Sequence, residues 1–112
     1  MSSFDNDLSK GEAERLAVLL EEMGESLQVI GKVLRHGYES YHPDDPTGPK
    51  NRALLVKELG DVTFAIELAR AAGDVSRLEI MAAAAAKCES VTPFLHHQPK
   101  YLLARVREAF AR

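Results

Sequence analysis

Residues 9–37 read SKGEAERLAVLLEEMGESLQVIGKVLRHG. Leu16, Leu19, Leu20, Met23, Leu27, Ile30 and Leu34 recur in this stretch at steps that mostly alternate between three and four, the spacing that gathers side chains on one face of an α-helix. Ser9 and Glu12 form a capping-box pattern ahead of them, a hydroxyl for the first free amides and a carboxylate three residues on, and Gly37 supplies a stop. The pattern predicts a helix over about residues 10–35, with that leucine-rich face turned to the core.

Outward from this helix, residues 38–50 (YESYHPDDPTGPK) hold three Pro and one Gly, so neither helix nor strand can run through them. They form a crossover loop, ordered or mobile. Asn51 can cap a second helix running to about residue 72, with Leu55, Leu59, Val62, Ile66 and Ala69 as its stripe and Gly73-Asp74 as its end. Ser76 and Glu79 repeat the capping box and open a third helix that runs towards Val91, ahead of Pro93. Its five alanines at 82–86 are the best helix formers, and they are also small enough to let another helix approach closely. Tyr101, Leu102, Val106 and Phe110 keep helical spacing in a short fourth segment, which should dock on the bundle or on a partner subunit. No segment alternates with period two. The expected fold is all-α, a four-helix bundle whose first two helices lie antiparallel across the loop.

A chain of 112 residues is long enough for one core, so a single domain over 1–112 is expected, with residues 1–8 flexible. Hydrophobic residues make up 46% and charged residues 28%, which excludes wholesale disorder. Fourteen basic against seventeen acidic residues leave a net charge of −3, the wrong sign for a nucleic-acid partner. The lone Cys88 cannot form an internal disulfide, and the N-terminal residues lack the pattern of a signal peptide, so a reducing cytoplasm is expected. Charges interrupt every apolar run well short of the roughly 20 residues that span a bilayer, so no membrane role is expected.

Each long helix carries two acids three residues apart, Glu22 and Glu25 on the first, Glu58 and Asp61 on the second. That spacing puts both members of a pair on one helix face. Val18, Val29 and Val33 share the first of these faces, and Leu54, Ala65 and Leu68 share the second, so both are half apolar rather than solvated. Four carboxylates in a confined space repel one another, and a hard divalent cation resolves the conflict. Mg²⁺ prefers oxygen ligands and is commonly completed by substrate phosphates. Zinc fits poorly, because Cys88 and the adjacent His96 and His97 do not supply a tetrahedral set, and a di-iron bundle would need two Glu-x-x-His motifs where only Glu39 to His42 matches.

Glu21-Glu22-Met-Gly-Glu25 followed by Glu58-Leu-Gly-Asp61 resembles the signature of the MazG-like all-α nucleoside triphosphate pyrophosphohydrolases of bacteria and phages. The resemblance extends over residues 14–25, 30–38, 51–62 and 95–98, and the long proline-rich insertion departs from it. It implies hydrolysis of a nucleoside triphosphate to monophosphate and pyrophosphate with Mg²⁺, for which Mn²⁺ can substitute, by a dimer or dimer of dimers. It implies Glu22, Glu25, Glu58 and Asp61 as metal ligands and Glu21 or Glu25 as the base that takes a proton from water. Polyphosphate also calls for cations, with Lys32, Arg35, His36, Arg52 and Lys87 as candidates, while Asn51, Tyr38 and Tyr41 could contact base or sugar, roles that a helix cap and loop packing explain as well. The competing expectation is an inert helical interaction or nucleotide-sensing module.

Overall fold

A computed structural model describes residues 5–111, so the first half of the segment expected to be flexible lies outside the described residues. The described chain is all-helical, with no strand: α1 (Lys10–His36), α2 (Asn51–Ala71), α3 (Arg77–Val91), a 3₁₀ turn (Thr92–Phe94) and α4 (Lys100–Phe110). No helix among the described residues is long and apolar enough to cross a membrane. Contacts divide the chain into two compact units, Met1–Asp74 and Val75–Arg112.

In the first unit the capping box of α1 is complete. Ser9 Oγ accepts from the Glu12 amide at 3.0 Å and Glu12 Oε1 accepts from the Ser9 amide at 2.8 Å. The helix ends at Gly37, whose φ of 88° is readily adopted only by glycine and whose N–H donates to Val33 O at 2.7 Å. The second helix starts differently from expectation. Asn51 is its first helical residue, and Lys50 occupies the cap position with no side-chain capping bond. Loop carbonyls do the work of a cap: the Asn51 amide donates to Ser40 O at 2.8 Å and the Arg52 amide to Tyr38 O at 2.9 Å. The Asn51 side chain is thereby free to turn inward, where it is 6% exposed and donates from Nδ2 to Gly37 O at 3.1 Å. These bonds, with the ion pairs of Glu39 to Arg52 and Lys50 and the stacking of Arg52 over Tyr38, order the proline-rich loop.

Asn51 meets Gly37 at one end of the helix pair, and Arg15 pairs with Asp74 at the other, Nε to Oδ2 at 2.6 Å, so α1 and α2 run antiparallel. The face of α1 turned to α2 is not the leucine stripe. Ser26 and Val29 are its buried residues, flanked by half-buried Val18, Glu22, Glu25 and Val33, and they meet Asn51, Leu54, Glu58, Ala65 and Ala69 of α2. Apart from half-buried Leu19, the predicted core stripe instead stands exposed, with Leu20 75%, Leu27 70% and Leu34 82% exposed. Two helices cover one face each, and the small side chains of Ser26, Ala65 and Ala69 allow the closer approach on the acid-bearing side. On α2 the expected stripe is split: Ala69 is buried, Leu55, Val62 and Ile66 are half-buried and Leu59 is exposed.

In the second unit Ser76 Oγ accepts from the Glu79 amide at 3.3 Å and caps α3. Pro93 turns the end of α3 into the 3₁₀ segment, which periodicity alone does not separate. Cys88, Val91, Leu95, Leu103 and Val106 line an apolar groove between α3 and α4, and Arg107 Nε reaches Glu89 Oε1 at 2.8 Å.

Candidate metal centre

Glu22 and Glu25 on α1 and Glu58 and Asp61 on α2 are brought together at mid-height of the helix pair, with one ligand oxygen of each within 4.8 Å of all the others. All four are half-buried, and the Glu58 side chain is 13% exposed. Ser26 sits on the same packed face, where its hydroxyl donates to Glu22 O at 3.0 Å and lies 3.4 Å from Glu58 O, tying the two helices together at the level of the acids. Glu22 Oε2 and Glu58 Oε2 are buried with no hydrogen-bond partner. Unpartnered buried carboxylate oxygen is costly unless something positive meets it.

The donor set fits a hard divalent cation. Every ligand atom is oxygen, and around one Mg²⁺ with bonds of about 2.1 Å opposite ligands stand roughly 4.2 Å apart, close to the 4.8 Å the carboxylates already span. No other group of three or more metal-ligating side chains gathers in this way among the described residues. The alternatives weighed on sequence stay dispersed: Glu39 is held by Arg52 and Lys50, and His42 Nδ1 accepts from the Asp44 amide at 3.1 Å.

Crowding shows in the protonation of the acids. Burial, and then the neighbouring Asp61, Glu21 and Glu58 charges, push the Glu22 carboxyl above its ordinary value of 4.5. Glu25 is raised as well, first by the charge of Glu22 and then by burial and a hydrogen bond with Glu58. Groups whose folded values lie above their unfolded ones bind extra protons in the native state, so their contribution to stability grows as pH falls through the folded values and is complete below about 4.5. The metal-free protein is therefore expected to melt at rising temperature as pH is lowered from neutral towards 5. Below that range the trend reverses, because Glu12, Glu39 and Asp74 are held below their ordinary values by the Ser9 cap, Arg52 and Arg15 and lose those bonds on protonation. Melting in a chelating buffer checks this. A temperature that is flat or falling from pH 7 to 5 would mean that the clustered acids carry no strain.

Of the other residues singled out by sequence, Glu21 is exposed on the turn beside Glu22, outside the cluster itself. Lys32, Arg35, His36 and Asn51 converge on a pocket beneath the proline-rich loop. Lys87 belongs to the second unit and lines its apolar groove. Sequence reading passed over Lys57, whose Nζ lies 2.8 Å from Asp61 Oδ2 and 3.6 Å from Glu58 Oε1. Its position four residues before Asp61, the spacing of helical ion pairs, carried the signal. No family model, curated protein or solved structure matches the chain.

Proposed function

We infer that the chain is a Mg²⁺-dependent nucleoside triphosphate pyrophosphohydrolase of the MazG-like all-α type, working in a reducing cytoplasm as a homodimer or dimer of dimers. One observation supports the reading above the rest: Glu22, Glu25, Glu58 and Asp61 converge from two antiparallel helices with two buried carboxylate oxygens unpartnered. Self-association rests on the uncovered leucine face of α1, and a reducing compartment suits the free thiol of Cys88.

In this reading Glu22, Glu25, Glu58 and Asp61 hold the ion, Mg²⁺ or Mn²⁺. When bound, the ion supplies charge neutralisation on the polyphosphate and makes water a better nucleophile. The chain's own part is positioning and proton transfer. Glu25, its carboxyl held above the ordinary range by Glu22, is suited to take the proton from the attacking water, with exposed Glu21 as the alternative base. The water oxygen bonds to the α-phosphorus, the bridge to the β-phosphate breaks, and pyrophosphate leaves with the electron pair of that bond. Lys32, Arg35 and His36 provide the positive charge that such a leaving group needs, and Asn51 lies beside them.

Pyrophosphate release from a panel of ribo- and deoxyribonucleoside triphosphates with Mg²⁺ tests the reading. Turnover of at least one, abolished by chelation, is expected. Inertness across the panel, with Mg²⁺ binding retained, would instead favour the nucleotide-sensing module.

A further inference from the structure

The carboxylate cluster has an inner and an outer side, and the two are partnered differently. On the inner side Glu22 Oε2 and Glu58 Oε2 are buried and have no hydrogen-bond partner. On the outer, solvent side Lys57 Nζ lies 2.8 Å from Asp61 Oδ2 and 3.6 Å from Glu58 Oε1. Glu58 belongs to both sides: one of its oxygens is buried and unpartnered, and the other faces an ammonium. Among the described residues Lys57 is the one cation within ion-pair distance of any of the four acids.

Helix pairing explains this contact only in part. Lys57 and Asp61 stand at i, i+4 on α2, a spacing at which opposite charges meet. The base precedes the acid, however, which is the weaker order because it sets both charges against the helix dipole. Nor does an i, i+4 pair call for the second contact, to a Glu58 side chain that is only 13% exposed.

Charge balance gives the contact a consequence. A carboxylate that bridges two metal ions uses both of its oxygens, and the ions in such sites stand about 3.5–4 Å apart. A second ion beside one held at the inner oxygens would need Glu58 Oε1 and Asp61 Oδ2, the atoms that Lys57 faces. Four ionised carboxylates balance two divalent ions. With the ammonium in place, one divalent ion leaves a single negative charge, and a second would leave the site positive. The first ion is little affected, since it meets oxygens that Lys57 does not touch and exposed pairs are weak. The second would have to displace a tethered ammonium and stay within a few ångströms of it, where like charges repel strongly.

We propose that Lys57 closes the outer oxygens of Glu58 and Asp61 and confines the carboxylate cluster to a single divalent ion per chain. This rests on the metal-centre reading and is independent of which phosphate compound is hydrolysed. Lys57 is thus a positioning residue that sets how many ions the site takes. In the hydrolase reading, the substrate meets one ion and a tethered ammonium at this edge rather than a pair of ions.

Titration of Mn²⁺ into the metal-free full chain, followed by the electron paramagnetic resonance of the ion and by calorimetry, counts the ions without any substrate. Wild type is expected to bind one Mn²⁺ per chain, with the spectrum of an isolated ion. Lys57→Met removes the charge while keeping the aliphatic stem and the helix propensity of lysine, and at a position 64% exposed it does not threaten the fold. It should bind two Mn²⁺ per chain, the second at least about tenfold more tightly than any second ion on wild type, with the magnetic coupling of neighbouring ions. Lys57→Arg restores the charge and should return the count to one. Two coupled ions on wild type, or a single ion on Lys57→Met, would overturn the proposal and leave the metal centre standing. A wild type that takes up no Mn²⁺ would remove the metal centre and the proposal together. The expected pattern in a protein inert towards every triphosphate would uphold the part played by Lys57 and remove the hydrolase reading.

Discussion

Adding Mg²⁺ to the metal-free protein is expected to raise its melting temperature by roughly 8 to 15 °C once the ion is at a hundredfold excess over its Kd, since ligand linkage then contributes about 2.7 kcal/mol to a domain of this size. Two opposing effects set the sign. Without the ion, the raised carboxyls of Glu22 and Glu25 and the orphaned Oε2 atoms of Glu22 and Glu58 make the cluster a liability. Bound among these carboxylates, as proposed, an ion would supply the positive charge they lack. Lys57 cannot substitute for a divalent ion, because its side chain is 64% exposed and pairs of that kind contribute only about 0–1 kcal/mol. Glu58→Gln should therefore act in opposite directions on the two forms, leaving the metal-free protein as stable or more stable while removing the Mg²⁺-induced shift. The same substitution, and Gln or Asn at Glu22, Glu25 or Asp61, should lower turnover by about 10² to 10³-fold or more with helicity unchanged. Wild type without a shift, or Glu58→Gln with a full one, would take the ion out of the site. Full activity in any two of the four variants would put the chemistry elsewhere.

The acids were legible in the sequence because spacing i, i+3 depends on helix geometry alone, and α1 and α2 were secured by signals that act locally, the Ser9–Glu12 box and the glycines at 37 and 73. Which face each helix buries is a different kind of fact. Leu16, Leu20, Met23, Leu27, Ile30 and Leu34 give the strongest apolar signal in the chain, and that signal says only that something should cover them. Within the α1–α2 pair the decision fell to Ser26, Ala65 and Ala69, whose small volumes set how closely the backbones approach, a property that a hydrophobicity count scores as weak. Asn51 illustrates the same limit. As an isolated residue before a helix it reads as a cap, but the carbonyls of Tyr38 and Ser40, brought back by the loop, had already satisfied the amides it would have served. Gly24 and Gly60, each beside an acid in its motif, meet nothing within 4 Å of where a Cβ would stand, so close packing inside the chain does not explain them.

The exposed face of α1 leads to the second large effect. Its residues at 16, 20, 23, 27, 30 and 34 follow strict steps of four and three, the a and d positions of a heptad seam, sustained over more than two heptads. Leu20, Leu27 and Leu34 each stand at least 70% exposed, and burying a leucine yields about 1.5–3 kcal/mol. In the proposed dimer a second copy of the chain would present the same seam and close the contact by two-fold symmetry, so every leucine would be counted twice. Light scattering at micromolar concentration is expected to return twice or four times 12.3 kDa. Leu20→Glu together with Leu27→Glu removes four leucines from a two-fold interface and sets charge against charge, which should weaken association by about 10³-fold or more and leave a 12.3 kDa species. A monomeric wild type, or an unchanged mass for the variant, would refute self-association through α1. Glu22, Glu25 and Ser26 face α2, away from this seam, so the dissociated variant should still show the Mg²⁺-induced rise in melting temperature. If that rise disappears along with the dimer, the metal centre depends on the partner chain, and the carboxylates of one chain alone do not make the site.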